Sequence, residues 1–141
     1  MSIFETGLER NRANYAALTP SDFLERAGAT FPEKVAIVHG DLRRTYGHFL
    51  NRSRRLADAL RKRGIGQGDA VSVLAPNTPA MLESHYGIPM AGAVLNAINT
   101  RLDAATISFI LGHAESKLVL VDKEFAPVME EALAQIDNPP P

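Results

Sequence analysis

The feature that most constrains this chain is an alternation. Short apolar runs at residues 70–75 (Ala-Val-Ser-Val-Leu-Ala), 94–97 (Val-Leu-Asn-Ala) and 117–121 (Lys-Leu-Val-Leu-Val) are separated by segments with helix start and stop signals. Continuous apolar strands divided by helices bury both faces of a sheet, so they argue for a mostly parallel sheet flanked by helices. The connections between such strands are right-handed crossovers. Ahead of them, residues 34–39 form a β-branched strand, Gly40-Asp41 supplies a turn, and residues 42–45 return, an opening β-hairpin. The fold class read from this order is α/β.

The helix signals are local. Thr19-Pro20 and Thr78-Pro79 each place a cap before a proline at the first helical position. Thr45, Asp103 and Asp122 cap three further helices, and Gly64 stops the second. Phe23, Leu24, Ala27 and Phe31 recur at helical spacing, as do Tyr46, Phe49, Leu56 and Leu60, which predicts that these positions face a core. Pro89 is expected to kink or shorten the third helix. The last helix is expected to hold Phe125, Val128, Met129, Leu133 and Ile136. The organisation read from this is an N-terminal arm at 1–18, an α/β unit at 19–137 and a Pro-rich linker or truncation point at 138–141 (Asn-Pro-Pro-Pro).

Composition then excludes several chemistries. The 141 residues contain no cysteine, so disulfides, thiolate nucleophiles and Cys-based metal sites are ruled out. Fifteen Lys and Arg stand against sixteen Asp and Glu, a formal charge of −1, so no global basic field points to nucleic acid. The longest uncharged run, residues 84–100, contains His85, Pro89, two glycines and two asparagines and is not a membrane span. The N-terminus lacks the basic and apolar regions of a secretory signal, and a cytoplasmic location is expected.

The motifs that remain are weak one by one. Gly64-Ile-Gly-Gln-Gly68 follows a helix and precedes a strand, the inverse of a dinucleotide fingerprint, and reads as a helix stop plus turn. Lys34, Lys62, Lys117 and Lys123 do not follow a Gly-rich loop, so no cradle for a triphosphate is recognisable. His39, His48, His85 and His113 lack metal-site spacing. Ser84 and His85 are sequence neighbours on a helix and do not face each other as a nucleophile and base would. Residues 43–63 carry eight of the fifteen positive charges with Asp58 as the one acid. They read either as a phosphate or nucleic-acid patch or as a solvated helix face whose last turn suits the macrodipole, and the latter is favoured because Arg61, Lys62 and Arg63 sit at the predicted C-terminus of the helix. Pro76-Asn77-Thr78-Pro79 and residues 96–101 lie at the carboxyl ends of predicted parallel strands, where α/β sheets bind ligands, yet they contain no acid–base pair.

The ordered string is more specific than any single motif. Arg44-Thr-Tyr-Gly-His-Phe49, Gly68-Asp-Ala-Val-Ser-Val73, Pro76-Asn-Thr-Pro79, Gly87-Ile-Pro-Met-Ala-Gly-Ala93, residues 96–102, Ile107-Ser-Phe-Ile-Leu111 and Lys117-Leu-Val-Leu-Val-Asp122 occur in a familiar order. Over roughly residues 19–125 they resemble the beginning of an adenylate-forming enzyme, in the branch of AMP-binding acyl-CoA synthetases of medium- or long-chain fatty-acid type. The resemblance implies a ligase that makes acyl-AMP from a carboxylate and ATP, then acyl-CoA, with ATP, magnesium and coenzyme A as cofactors. The phosphate loop, the adenine and ribose motifs and the catalytic lysine of such enzymes come later than the stretch matched here. No catalytic, cofactor-binding or metal residue is therefore carried over.

The expectation is an N-terminal fragment that is scaffold and is inactive alone. Its partners would be the missing downstream subdomains, the carboxylic-acid substrate and CoA, with no nucleic acid, and a homodimer through unpaired edges is a further expectation. The alternative is a stand-alone binding or interaction module on the same scaffold. An exposed apolar face favours the fragment, and a sealed polar face favours the module.

Overall fold

The computed structural model describes residues 6, 7, 9–11 and 13–141. Part of the expected 1–18 arm thus lies outside the described residues. The element order is α1 (Pro20–Thr30), β1 (Val35–His39), β2 (Leu42–Thr45), α2 (Tyr46–Lys62), β3 (Ala70–Leu74), α3 (Pro79–Met90), β4 (Val94–Ala97), α4 (Ala104–His113), β5 (Leu118–Val121) and, after a 3-10 turn at Lys123–Phe125, α5 (Ala126–Leu133). β1 and β2 pair antiparallel as a hairpin, while β4, β3 and β5 form a parallel sheet in that order. This is the α/β architecture with an opening hairpin that the alternation predicts.

The local signals account for the boundaries. The Asp22 carboxylate accepts from the Thr19 backbone N–H at 2.6 Å and from its hydroxyl at 2.7 Å, closing the start of α1. The Asp103 carboxylate accepts from the Thr106 N–H at 2.7 Å at the start of α4. Thr45 Oγ1 accepts from the His48 N–H at 3.3 Å. Gly64 follows the end of α2 with a φ of 80°, a left-handed conformation that side chains resist. Pro89 sits in the last turn of α3, so it ends the helix rather than kinking its middle.

β3 is central and covered on both sides. Val71 and Val73 join the cluster of Ala57, Leu60, Met81 and Ile88 under α2 and α3. Leu74 instead joins Ile107, Leu111, Met129 and Ala132 under α4 and α5. This alternation is the period of two expected of a strand between two layers. A third cluster of Leu24, Ile37, Phe49 and Leu50 fastens α1 and the hairpin to α2, with Phe49 edge-on to Tyr86 at 5.0 Å. α2 and α3 approach closely because small residues line their crossing. A Cβ added at Gly87 would lie 2.9 Å from the Ser53 carbonyl oxygen and 2.8 Å from Leu56 Cδ2.

One expectation about burial and one about the bounds of the last helix are corrected. Phe23 and Phe31 are exposed, whereas Leu24 is buried as expected and Gly28 is buried beside it. The helical period allowed either face, and the packing of Gly28 against Leu50 selected this one. The last helix is shorter than expected: Asp122 caps the 3-10 turn that holds Phe125, α5 follows it, and Ile136 lies beyond its end, although Phe125 and Ile136 still pack on the α4/α5 cluster. Residues 138–141 end beside the sheet, where the Val119 N–H donates to the Pro141 carbonyl at 2.8 Å.

Candidate functional site

The ends of the parallel strands organise the candidate site. The helix after β3 lies on one face of the sheet and the helices after β4 and β5 lie on the other. A change of face between neighbouring strands opens a crevice at their carboxyl ends. A cleft of about 420 Å³ is found there, walled by Ala75 after β3, by Val121 and Asp122 at the end of β5, and by Arg52, Arg55 and Glu83 from α2 and α3. A second, more apolar groove of about 540 Å³ runs between β1 and the start of α3, with Val38, Thr78, Leu82 and His85 on its walls.

Glu83 is the chemical centre of the first cleft. It is 5% exposed and would be costly to bury alone. Two guanidinium groups resolve this. Arg44 of β2 and Arg52 of α2 both donate to Glu83 Oε1, the Arg52 Nε at 2.7 Å. The bond to Glu83 raises the Arg52 pKa further above its ordinary value. One carboxylate thus ties the hairpin, α2 and α3 together. Sequence reading missed Glu83, although a signal was present: it is the one acid between Asp69 and Asp103.

The basic segment 43–63 is consequently not a uniform solvated face. Arg44 and Arg52 point inward to Glu83. Arg54 pairs with Glu25 of α1, and Arg61 reaches Asp58 and the Met90 carbonyl. Asp58 is the one acid within the segment, but the fold brings Glu83 and Glu25 to it from elsewhere. Only the last turn, Arg61 and Lys62, behaves as the macrodipole argument expects.

The hydroxyl and imidazole groups are structural. Ser84 Oγ donates to the Ala80 carbonyl at 3.0 Å, and His85 Nδ1 lies 2.9 Å from the Met81 carbonyl oxygen. Each is held by its own helix, so the two do not form a nucleophile–base pair. Beneath the sheet, Ser72 Oγ accepts from Asn96 Nδ2 at 2.9 Å and lies 2.5 Å from Ser116 Oγ. This neutral group crosses all three parallel strands' neighbourhoods and is satisfied internally, leaving nothing to react. Thr78 Oγ1 is buried at the apolar groove without a hydrogen-bond partner among the described residues. Among the described residues no cluster of three or more His, Asp or Glu side chains could hold a metal ion. No helix among them is long and apolar enough to cross a membrane.

Comparison with known proteins adds what this geometry leaves open. The family model described as "AMP-binding enzyme" matches residues 24–140. Acetate–CoA ligase CCL3 of Humulus lupulus is 48% identical over 126 residues, covering 89% of this chain and 22% of that protein. Butyrate–CoA ligase AAE11 of Arabidopsis thaliana, a peroxisomal protein by its name, is 51% identical over 124 residues, 88% of this chain and 22% of its own. Among solved structures, the N-terminal domain of FACL13 from Mycobacterium tuberculosis superposes with a TM-score of 0.81 at 35% identity, covering 88% of this chain and 32% of that one. The chain therefore spans about a fifth of the length of these curated relatives.

Proposed function

The chain belongs to the AMP-binding enzyme family, and from that premise we propose that it forms the N-terminal part of an AMP-forming carboxylate–CoA ligase. The observation that carries this reading is the match over residues 24–140. In the proposed reaction a carboxylate oxygen attacks the α-phosphorus of ATP and pyrophosphate leaves. The CoA thiol then attacks the acyl carbon and AMP leaves. Magnesium would offset the charge of the phosphates.

The residues described here do not fit the triphosphate or the metal. The loops after β3 and β4 offer amides and hydroxyls but no lysine-tipped glycine loop, and the one buried carboxylate is spent on Arg44 and Arg52. No step is therefore assigned to these side chains, and the proposed role is scaffold, inactive by itself. Exposed apolar side chains at Val38, Leu82, Val94 and Val121 support this reading over a self-contained interaction module.

The acyl group proposed is short. Relatives at 48% and 51% identity are named for acetate and butyrate, and these weigh more than those at 47% named for benzoate and cinnamate or a fatty acyl-CoA synthetase structure at 36%, which would favour an aromatic or a medium- or long-chain acid. The cysteine-free sequence fits a reducing compartment, and the peroxisomal names of several relatives are a rival to a cytoplasmic location.

Complementation tests the proposal. The chain is mixed with the remainder of the Humulus acetate–CoA ligase, the part beyond the matched segment. Acetate-dependent exchange of pyrophosphate into ATP is expected from the mixture and from neither part alone. Exchange by the 141-residue chain alone would overturn the scaffold role. A stable complex without exchange would overturn the ligase reading.

A further inference from the structure

We infer that one face of α2 holds a binding site for a phosphate monoester, with Arg52 and Arg55 as its anchors. A surplus of positive charge marks it. Arg44 and Arg52 share the one carboxylate of Glu83, so a positive charge is left over after the pairing. Arg55 adds another and makes no ion pair among the described residues. The other arginines of the basic segment find an acid or a carbonyl. Arg43 bonds the Gly40 carbonyl, Arg54 pairs with Glu25, Arg61 pairs with Asp58, and Arg63 bonds the Ala59 carbonyl.

The helix gathers the groups. His48, Asn51, Arg52 and Arg55 recur at helical spacing and share one face of α2. With Arg44 of β2 they wall a cavity of about 330 Å³, and those walls contain no acid. Arg52 and Arg55 also wall the 420 Å³ cleft, so the two cavities meet along this pair. The larger cleft differs in character. Leu56, Val73, Met81 and Leu120 give it apolar surface, and Asp122 lines it with a carboxylate that accepts from the Glu124 N–H at 3.1 Å.

The class of ligand follows from these charges. Two surplus cations match a dianion, and a phosphate monoester carries about −1.5 to −2 at neutral pH where a carboxylate carries half that. Guanidinium groups also bond phosphate oxygens in pairs. Arg52 gives its Nε to Glu83 at 2.7 Å, and its terminal nitrogens bond no other group among the described residues. The buried Glu83 thus holds the Arg52 guanidinium in place before a ligand arrives, which lowers the ordering cost of binding. The phosphoryl group fits the acid-free cavity, and an uncharged apolar body fits the larger cleft. One phosphoryl group is proposed here, not the triphosphate chain that these residues do not fit. The site stands on charge and cavity shape and does not depend on the ligase reading.

Titration of the 141-residue chain with phenyl phosphate, followed by NMR at the arginine Nε resonances, tests it. Saturable shifts are expected at Arg52 and Arg55. Benzoate, which has the same ring and a smaller charge, is expected to bind about tenfold more weakly or worse. Arg55→Gln is expected to weaken phenyl phosphate binding by about tenfold or more. Lys62→Gln removes the same charge from the last turn of the same helix and is expected to change binding by less than about twofold. Equal losses from the two variants overturn the inference, because a diffuse field then does the binding. No saturable shift at Arg55, or equal affinity for benzoate, also overturns it. So does adsorption to vesicles of phosphatidylcholine and phosphatidic acid without a response to phenyl phosphate, since the anion is then a lipid surface.

Discussion

The two faces of the parallel sheet solve the same burial problem with different materials. Under α4 and α5 the contacts are apolar, and the polar atoms beside them, on Ser72, Asn96 and Ser116, are neutral and bonded to one another. Under α2 and α3 the apolar layer ends at a buried carboxylate held by two arginines. The difference follows from what each side must hold. α4 and α5 make one layer, which area alone can fasten. The other side carries a second layer of α1 and the hairpin, and hydrophobic attraction is not directional. Glu83 bonded to both β2 and α2 gives that outer layer a fixed register on α3. The lesson is that the charge serves placement more than stability, because a buried ion pair contributes little net free energy.

Removing core volume from the neutral face is the largest expected perturbation. Ile107 is fully buried, and Ile107→Ala is expected to cost about 2–5 kcal/mol, read from the urea midpoint. Stranding the charge on the opposite face comes next. Replacing both Arg44 and Arg52 with methionine leaves Glu83 without its partners and should cost on the order of 3 kcal/mol. Also replacing Glu83 with methionine should restore most of that loss. If the triple variant is as unstable as the double, the pair is worth more than placement and the comparison between the faces fails.

Closer packing between helices is a smaller effect. Gly87→Ala places a methyl 2.9 Å from the Ser53 carbonyl and should cost about 1–3 kcal/mol by thermal melting. The smallest effect is electrostatic and common to both layers. Hydrogen bonds from the Thr106 backbone N–H lower the pKa of Asp103, and those from Thr19 lower that of Asp22. A carboxylate with a lowered folded pKa adds stability above its unfolded value of 3.8, which is lost as the pH falls through the folded value. Asp103→Asn should therefore slightly lower stability at pH 7 and flatten its fall below about pH 4. Urea midpoints at pH 3 and pH 7 measure both, and an unchanged acid slope would exclude the cap as its source.

Much of the fold was legible in residue order. Thr19, Thr45 and Asp103 cap the helices expected of them, and Gly64 follows the end of α2 as a glycine stop does. These signals act within a few residues, so local sequence contains them. The site was less legible. Phe23 and Phe31 obeyed the helical period yet remained exposed, because period identifies a face without saying which neighbour will cover it. Arg44 and Arg52 read as part of a basic run, since their partner Glu83 lies 39 and 31 residues away.

By itself the sequence determined which segments are strands and helices, where all but the last helix begin, and the family to which the chain is related. These rest on backbone sterics, capping bonds and the order of motifs, all short-range or linear. Only the tertiary structure decided that β3 lies between β4 and β5, that Glu83 holds two arginines, and that the edge of β5 meets Pro141. Each of these joins groups distant along the chain. Their partners are selected by shared burial and by the need to bond every buried polar atom, which no local window of sequence contains.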